Sequence, residues 1–218
     1  MDTSVAENKS IPWQDRNSIG FFKAIWKTIK YVLFKPNEFF DNLVIENSIK
    51  GPYLFYFIVS SCGGIIAIAI SMLIKPIEAG PYVFIFASLL MIIFSSFGLF
   101  IGSGILHLGV MLLRGTGGYK GTLNVMAYST STNIFQIIPF IGGLIGGIWG
   151  VVVGIKGFKK IHNFSTARAI FAYFSIFIIV FIIAFFAALV IPNILKARTD
   201  AKNNAAVKTI AQTVSTNP

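Results

Sequence analysis

Charge is scarce in this sequence, and negative charge is scarcer still. Only 12% of the 218 residues are charged, against about 25% in an ordinary soluble domain. The eight acids are Asp2, Glu7, Asp15, Glu38, Asp41, Glu46, Glu78 and Asp200. No carboxylate occurs between Glu78 and Asp200, so more than half the chain offers no carboxylate general base, no catalytic dyad and no acidic metal ligand. Cysteine is almost absent: Cys62 stands alone in an apolar run, which excludes an intramolecular disulfide. There is no P-loop, no Gly-x-Ser-x-Gly and no His-Glu-x-x-His. No enzymatic constellation and no cofactor is expected. The N-terminus lacks an apolar core followed by a small-residue cleavage site, so it does not read as a cleavable secretory signal.

What is present is apolar. Hydrophobic residues make up 55% of the chain and the mean hydropathy is +0.76. A soluble fold of this size has too much surface for its volume to hide so many; a bilayer accepts them on its outward faces. The expected class is an all-α integral membrane protein: a five-helix transmembrane bundle with an N-terminal interfacial amphipathic helix. A crossing of about 30 Å of hydrocarbon needs about 20 apolar residues. Spans are predicted over 53–74, 82–113, 121–138, 139–157 and 168–191. The second is long, so tilt, a kink near Gly102 and Gly104, or an extension beyond the membrane is expected. The third and fourth form a tight hairpin at Pro139, and Gly115-Thr-Gly-Gly118 reads as a turn. Residues 51–192 form the membrane domain and 193–218 a polar tail.

Residues 1–18 are polar and expected to be mobile. Over 19–34, helical spacing gathers Phe22, Ile25, Trp26, Ile29 and Leu33 on one face and Lys23, Lys27 and Lys30 beside them. Such a helix lies flat among head groups, which makes Lys23, Trp26, Lys27 and Lys30 the expected membrane-surface contacts within a cytoplasmic region 19–50. Packing on other protein is the competing reading. Pro36 ends this helix, and Phe39-Phe40 is expected to add a second interfacial contact. The net charge of +10 sits at membrane flanks, so anionic lipid head groups, and not nucleic acid, are the expected partner. Thirteen basic residues fall on the side of the N-terminus and five on the other, which predicts a cytoplasmic N-terminus and an outer C-terminus.

Three features invite chemistry. Gly142, Gly146, Gly150 and Gly154 recur every fourth residue and form a packing ridge widened by Gly143 and Gly147, with a partner inside the chain or in a second copy. The third span carries Thr122, Asn124, Tyr128, Ser129, Thr130, Ser131, Thr132, Asn133 and Gln136. These either line a path or bond helix to helix. A path requires Asn124, Tyr128, Asn133 and Gln136 to converge with His107 on one cavity. His107, in the second span, is otherwise a hydrogen-bonded structural histidine, with His162 in a cytoplasmic loop; no metal site is expected.

The order of Leu106-His107-Leu108, Arg114 to Lys120, Val125-Met-Ala-Tyr-Ser129, Ile138-Pro-Phe-Ile-Gly142 and Ile148-Trp149 resembles the Yip domain family, as do Trp26, Pro36, Phe39-Phe40 and the Gly51-Pro52 entry. The resemblance covers roughly residues 20–190. It implies a non-enzymatic polytopic membrane protein with the orientation counted above, of a prokaryotic type in view of its compact N-terminus, in the cytoplasmic membrane. Eukaryotic relatives of this family act in vesicle traffic with Rab GTPases. The reading is a membrane scaffold or adaptor that binds lipid and either a membrane-protein partner or itself; the alternative is a small transporter or channel. Phe185 to Arg198 and Ala205 to Lys208 are also similar to the N-terminal helix of type IV pilins. Counted from Pro192, that family's cleavage glycine falls at Ile170 and its assembly glutamate at Ser175. Neither residue type is present, so prepilin processing and pilus assembly are not expected. The tail is expected to continue as a helix.

Overall fold

In the computed structural model, residues 10–74 and 80–216 are described, in two units divided between Ser175 and Ile176. The expected exit of the first span at Lys75-Pro76 lies outside them. The described residues are mostly helical, with no strand. The first unit begins with α1 (Arg16–Ile19), α2 (Phe21–Phe34) and α3 (Pro36–Asn42). Gly20, at φ +91°, makes the corner between α1 and α2, a conformation open to glycine at little cost. Lys35 leaves helical geometry ahead of Pro36, which occupies the first turn of α3, where its missing N–H costs nothing.

Two helices of the membrane type follow, α4 (Lys50–Ile74) and α5 (Gly80–Leu112). The α-helical stretch of α5 continues through Gly102 and Gly104. The two helices share a buried Ser61–Ser95 hydroxyl hydrogen bond of 2.8 Å. The predicted third span is divided: α6 (Gly118–Ser129) gives way to a 3-10 helix over Thr130–Ile137. The cause is local. Ser, Thr and Asn fill 129–133, and their side chains compete for backbone groups. Thr130 donates to the Ala127 carbonyl and Thr132 to that of Ser129 at 3.0 Å. A 3-10 stretch of eight residues is long.

Pro139 lies in the turn and does not open the fourth span; α7 runs Gly142–Ile161. The last helix, α8, runs Thr166–Thr216 and passes through Pro192. Its first ten residues belong to the first unit, where Gly109 of α5 lets Ser175 approach closely. The remainder of α8 is the second unit. Among the described residues, three helices are long and apolar enough to cross a membrane: α4, α5 and α8 over 166–206.

The N-terminal region is built into the first unit. Ile11 and Trp13 are fully buried, which overturns the expectation of a polar, mobile segment for the described part of 1–18. Trp13 donates from Nε1 to the Gly51 carbonyl at 2.7 Å and meets Phe55 edge-on. Phe39 and Phe40 are buried too, at 0% and 2% exposure, so they make no interfacial contact. Phe39 packs on Tyr128, and Phe40 fits against Gly157 of α7, whose bare Cα leaves room for the ring. An aromatic ring is equally apolar against lipid or protein; the hole at Gly157 decides for protein. Helix α2 divides its surface: Ala24, Thr28, Ile29, Val32 and Leu33 are buried, whereas Phe22, Lys23, Trp26, Lys27 and Lys30 are exposed. Trp149 of α7 donates to the Leu33 carbonyl at 3.0 Å, and Lys160 pairs with Asp41 at 2.6 Å.

Candidate functional site

The polar residues of 121–138 part into three places. The innermost is a chain of hydrogen bonds. The α5–α6 turn delivers the Gly117 N–H to Nδ1 of His162, 3.2 Å away. A backbone N–H can only donate, so this Nδ1 is unprotonated and the neutral ring carries its hydrogen on Nε2. Nε2 lies 3.1 Å from Thr122 Oγ1, and that oxygen lies 2.9 Å from Nδ1 of His107. The direction of the first link is therefore fixed, His162 donating to Thr122, while the tautomer of His107 sets that of the second. His162 is fully buried, and desolvation, followed by the nearby His107, pushes its pKa down to about 4. The same turn is fastened twice more, by Thr116 N–H on the His162 carbonyl (3.3 Å) and by Asn163 on Thr116 Oγ1 (3.0 Å). Sequence reading left the two histidines apart and saw only a turn at 115–118. No local signal joins them, because the link requires α5, α6 and α7 together.

The second place is the packed core, bordered by Arg16 and Glu46. Tyr128 is 1% exposed between Phe39 and Phe55, each ring centroid 5.1 Å away. Asn124 is buried and donates back to the Lys120 carbonyl at 2.8 Å.

The third place is open. Asn133 and Gln136, 3.4 Å apart through Nε2–H and Oδ1, face a groove of about 280 Å³ with Ser129, Thr130 and Thr132. A second groove, of about 410 Å³ and bounded by Ala67, Ser71 and Phe140, shares Gln136 and Gly143 with the first. Of the residues expected to converge, Asn133 and Gln136 do so; His107, Asn124 and Tyr128 lie elsewhere.

The glycines of α7 face two ways. A methyl group at Gly142 would overlap the Phe135 carbonyl, one at Gly146 would stand 2.9 Å from the Thr132 carbonyl, and one at Gly150 3.2 Å from Thr132 Oγ1. Gly154 admits the Tyr173 ring of α8. Gly143 and Gly147, read from sequence as widening the ridge, meet open space and border the groove. The partner of the first three glycines is thus the 3-10 helix of the same chain. Among the described residues no three His, Cys, Asp or Glu side chains gather into a metal site.

A mostly helical chain with, among its described residues, three helices long and apolar enough to cross a membrane has the makings of a multi-pass membrane protein. Its sequence matches the model of the Yip1 domain over residues 30–189, well over half of its length. The chain belongs to the Yip1 domain family. Neither a curated protein nor a solved structure matches it.

Proposed function

We propose that this Yip-domain protein is a non-enzymatic membrane scaffold or adaptor. On this reading it crosses the cytoplasmic membrane of a prokaryote five times, with the N-terminus inside and the C-terminus outside. The carrying observation is the separation just described. Thr122 is spent on the two histidines, and Asn124 and Tyr128 lie in the packed core, whereas a continuous path would need them on the groove that Asn133 and Gln136 face. Support for five crossings comes from length. Twelve α-helical and eight 3-10 residues rise about 34 Å together, and the 20 residues of α7 about 30 Å, each enough for the hydrocarbon layer. Support for the orientation comes from the hydrogen bonds between the 115–117 and 162–163 turns and from the Lys160–Asp41 pair, which bring three basic segments to one side. Anionic lipids meet α2, and a membrane-protein partner or a second copy meets the apolar flanks.

The second reading, a small transporter or channel, draws on the two grooves that meet at Gln136 and Gly143. Cysteine accessibility separates the two. With Cys62 replaced, single cysteines at 124, 128, 133 and 136 are treated with a membrane-impermeant thiol reagent from each side. Protection at 124 and 128, with labelling at 133 or 136 from one side only, is the scaffold result. Labelling of all four positions in folded protein overturns it in favour of a path.

A further inference from the structure

An apolar groove of about 300 Å³ runs between α2, α4 and the 3-10 helix, walled by Phe22, Ile25 and Ile29, by Ile58 and Cys62, and by Ile134. Its α4 wall belongs to a helix long and apolar enough to cross a membrane, so hydrocarbon is the medium offered to it. Round the exposed side of α2 from this wall runs a cationic strip. Lys23, Trp26 and Lys30 are spaced three and four residues apart and so share one side of α2. All are exposed, and the Lys30 ammonium sits over the Trp26 ring, 5.0 Å from its centroid. Lys27 lies one step further round. Among the described residues the ion pairs are Lys35–Glu38 and Lys160–Asp41, and neither uses these lysines.

An apolar slot with exposed lysines further round one of its helices fits an amphiphile with a negative head. We propose that this groove is a binding site for one anionic phospholipid, with an acyl chain between α2 and α4 and the phosphate on Lys23 and Lys30. The proposal rests on the reading of α2 as a membrane-surface helix and adds a discrete, stoichiometric ligand to it. Cys62 is exposed within the groove, so a larger side chain there fills the slot from α4 without touching the lysines.

The test is native mass spectrometry of the full chain, stripped of lipid in detergent and then given phosphatidylglycerol or phosphatidylcholine with the same acyl chains. The wild type should retain one phosphatidylglycerol at energies that remove all other lipid. Its preference over phosphatidylcholine should be about tenfold or more, the scale expected of two lysines near an anionic head. Cys62→Trp should lose the retained lipid while Cys62→Ala keeps it, and Ile58→Phe serves if Cys62→Trp does not fold. Lys23→Gln with Lys30→Gln should bind either lipid equally. Undiminished retention in the filled variants, or a wild type indifferent to head group, overturns the site. Amine labelling of Lys23, Lys27 and Lys30 in vesicles reads the surface role separately. Suppression by phosphatidylglycerol that persists in Cys62→Trp means that α2 still meets the membrane surface, whatever the fate of the groove.

Discussion

Two neighbouring glycines on α7 allow a paired experiment. Gly146 and Gly147 sit in the same helix, so replacing either by alanine removes the same backbone freedom and gains about 1 kcal/mol of helix propensity. Their surroundings differ. A methyl at Gly147 meets nothing within 4 Å, whereas one at Gly146 comes to 2.9 Å from the Thr132 carbonyl. That oxygen is backbone and cannot rotate away, so one of the two helices must shift. Overpacking of this kind costs about 1–3 kcal/mol. Gly147→Ala should therefore stabilise the protein by up to about 1 kcal/mol, and Gly146→Ala should be neutral or destabilising by up to about 2 kcal/mol. Gly146→Leu should be worse, since the remaining atoms enter the space held by Phe135 Cβ, already 3.5 Å from the alanine position. Thermal unfolding in detergent, followed by circular dichroism, reads the difference. If Gly146→Ala melts at the same temperature as Gly147→Ala, the close contact between α7 and the 3-10 helix does not carry stability and the reasoning fails.

Protonation should loosen the His162 bond chain. An unfolded imidazole titrates near about 6.5 and buried His162 at about 4, so between these values the unfolded chain binds more protons. Stability from this group is then complete above about pH 6.5 and lost as pH falls toward 4, by about 3 kcal/mol in all; a wild-type melting temperature no steeper in pH than that of His162→Gln would contradict it. Phe39→Ala should cost about 3–5 kcal/mol by leaving a cavity against Tyr128; a mild loss, below about 1 kcal/mol, would return Phe39 to the interface. Changing Lys23, Lys27 and Lys30 to Gln in a 19–34 peptide should weaken partitioning to anionic vesicles by about 3 kcal/mol, near one per lysine, and unchanged partitioning would mean that charge does not hold α2 at the surface.

The parts of this fold legible from sequence were those in which one interaction dominates. Unbroken apolar runs announced α4, α5 and α8, because burial in lipid outweighs every local preference there. The 3.6-residue rhythm of 21–34 and the stop at Pro36 marked α2, since periodicity and a fixed proline φ are local properties. Legibility failed where two forces of similar size compete. The run Ser129 to Asn133 is apolar enough in its neighbours to read as a span, yet its hydroxyls bond the backbone and tighten the winding to 3-10. Trp13, Phe39 and Phe40 suit either lipid or protein, and partners distant in sequence (the Gly51 carbonyl, the Tyr128 ring and the bare Gly157 backbone) draw them inward.

The candidate site illustrates the same limit from the polar side. Counting polar residues in 121–138 located the right segment but could not sort it, because the side-chain direction depends on winding. An ideal α-helix places positions four apart on one face. From Asn124, the first residues in that series are Tyr128 and Thr132, and a straight span would have offered them to one cavity along with Gln136. Beyond Ser129 each residue turns about 120° and not 100°, so 3-10 winding from Thr130 swings Asn133 by about 80° and Gln136 by about 140°. Asn133 and Gln136 consequently open on the groove while Asn124 and Tyr128 stay in the packed core. Restoring α-helical winding, for instance by alanine at Ser131 and Thr132, should therefore change which of these four side chains water can reach. Cysteine labelling at 133 and 136 in that background would register the change directly, and an unaltered pattern would show that packing against α4 and α7, not the hydroxyl side chains, sets the winding.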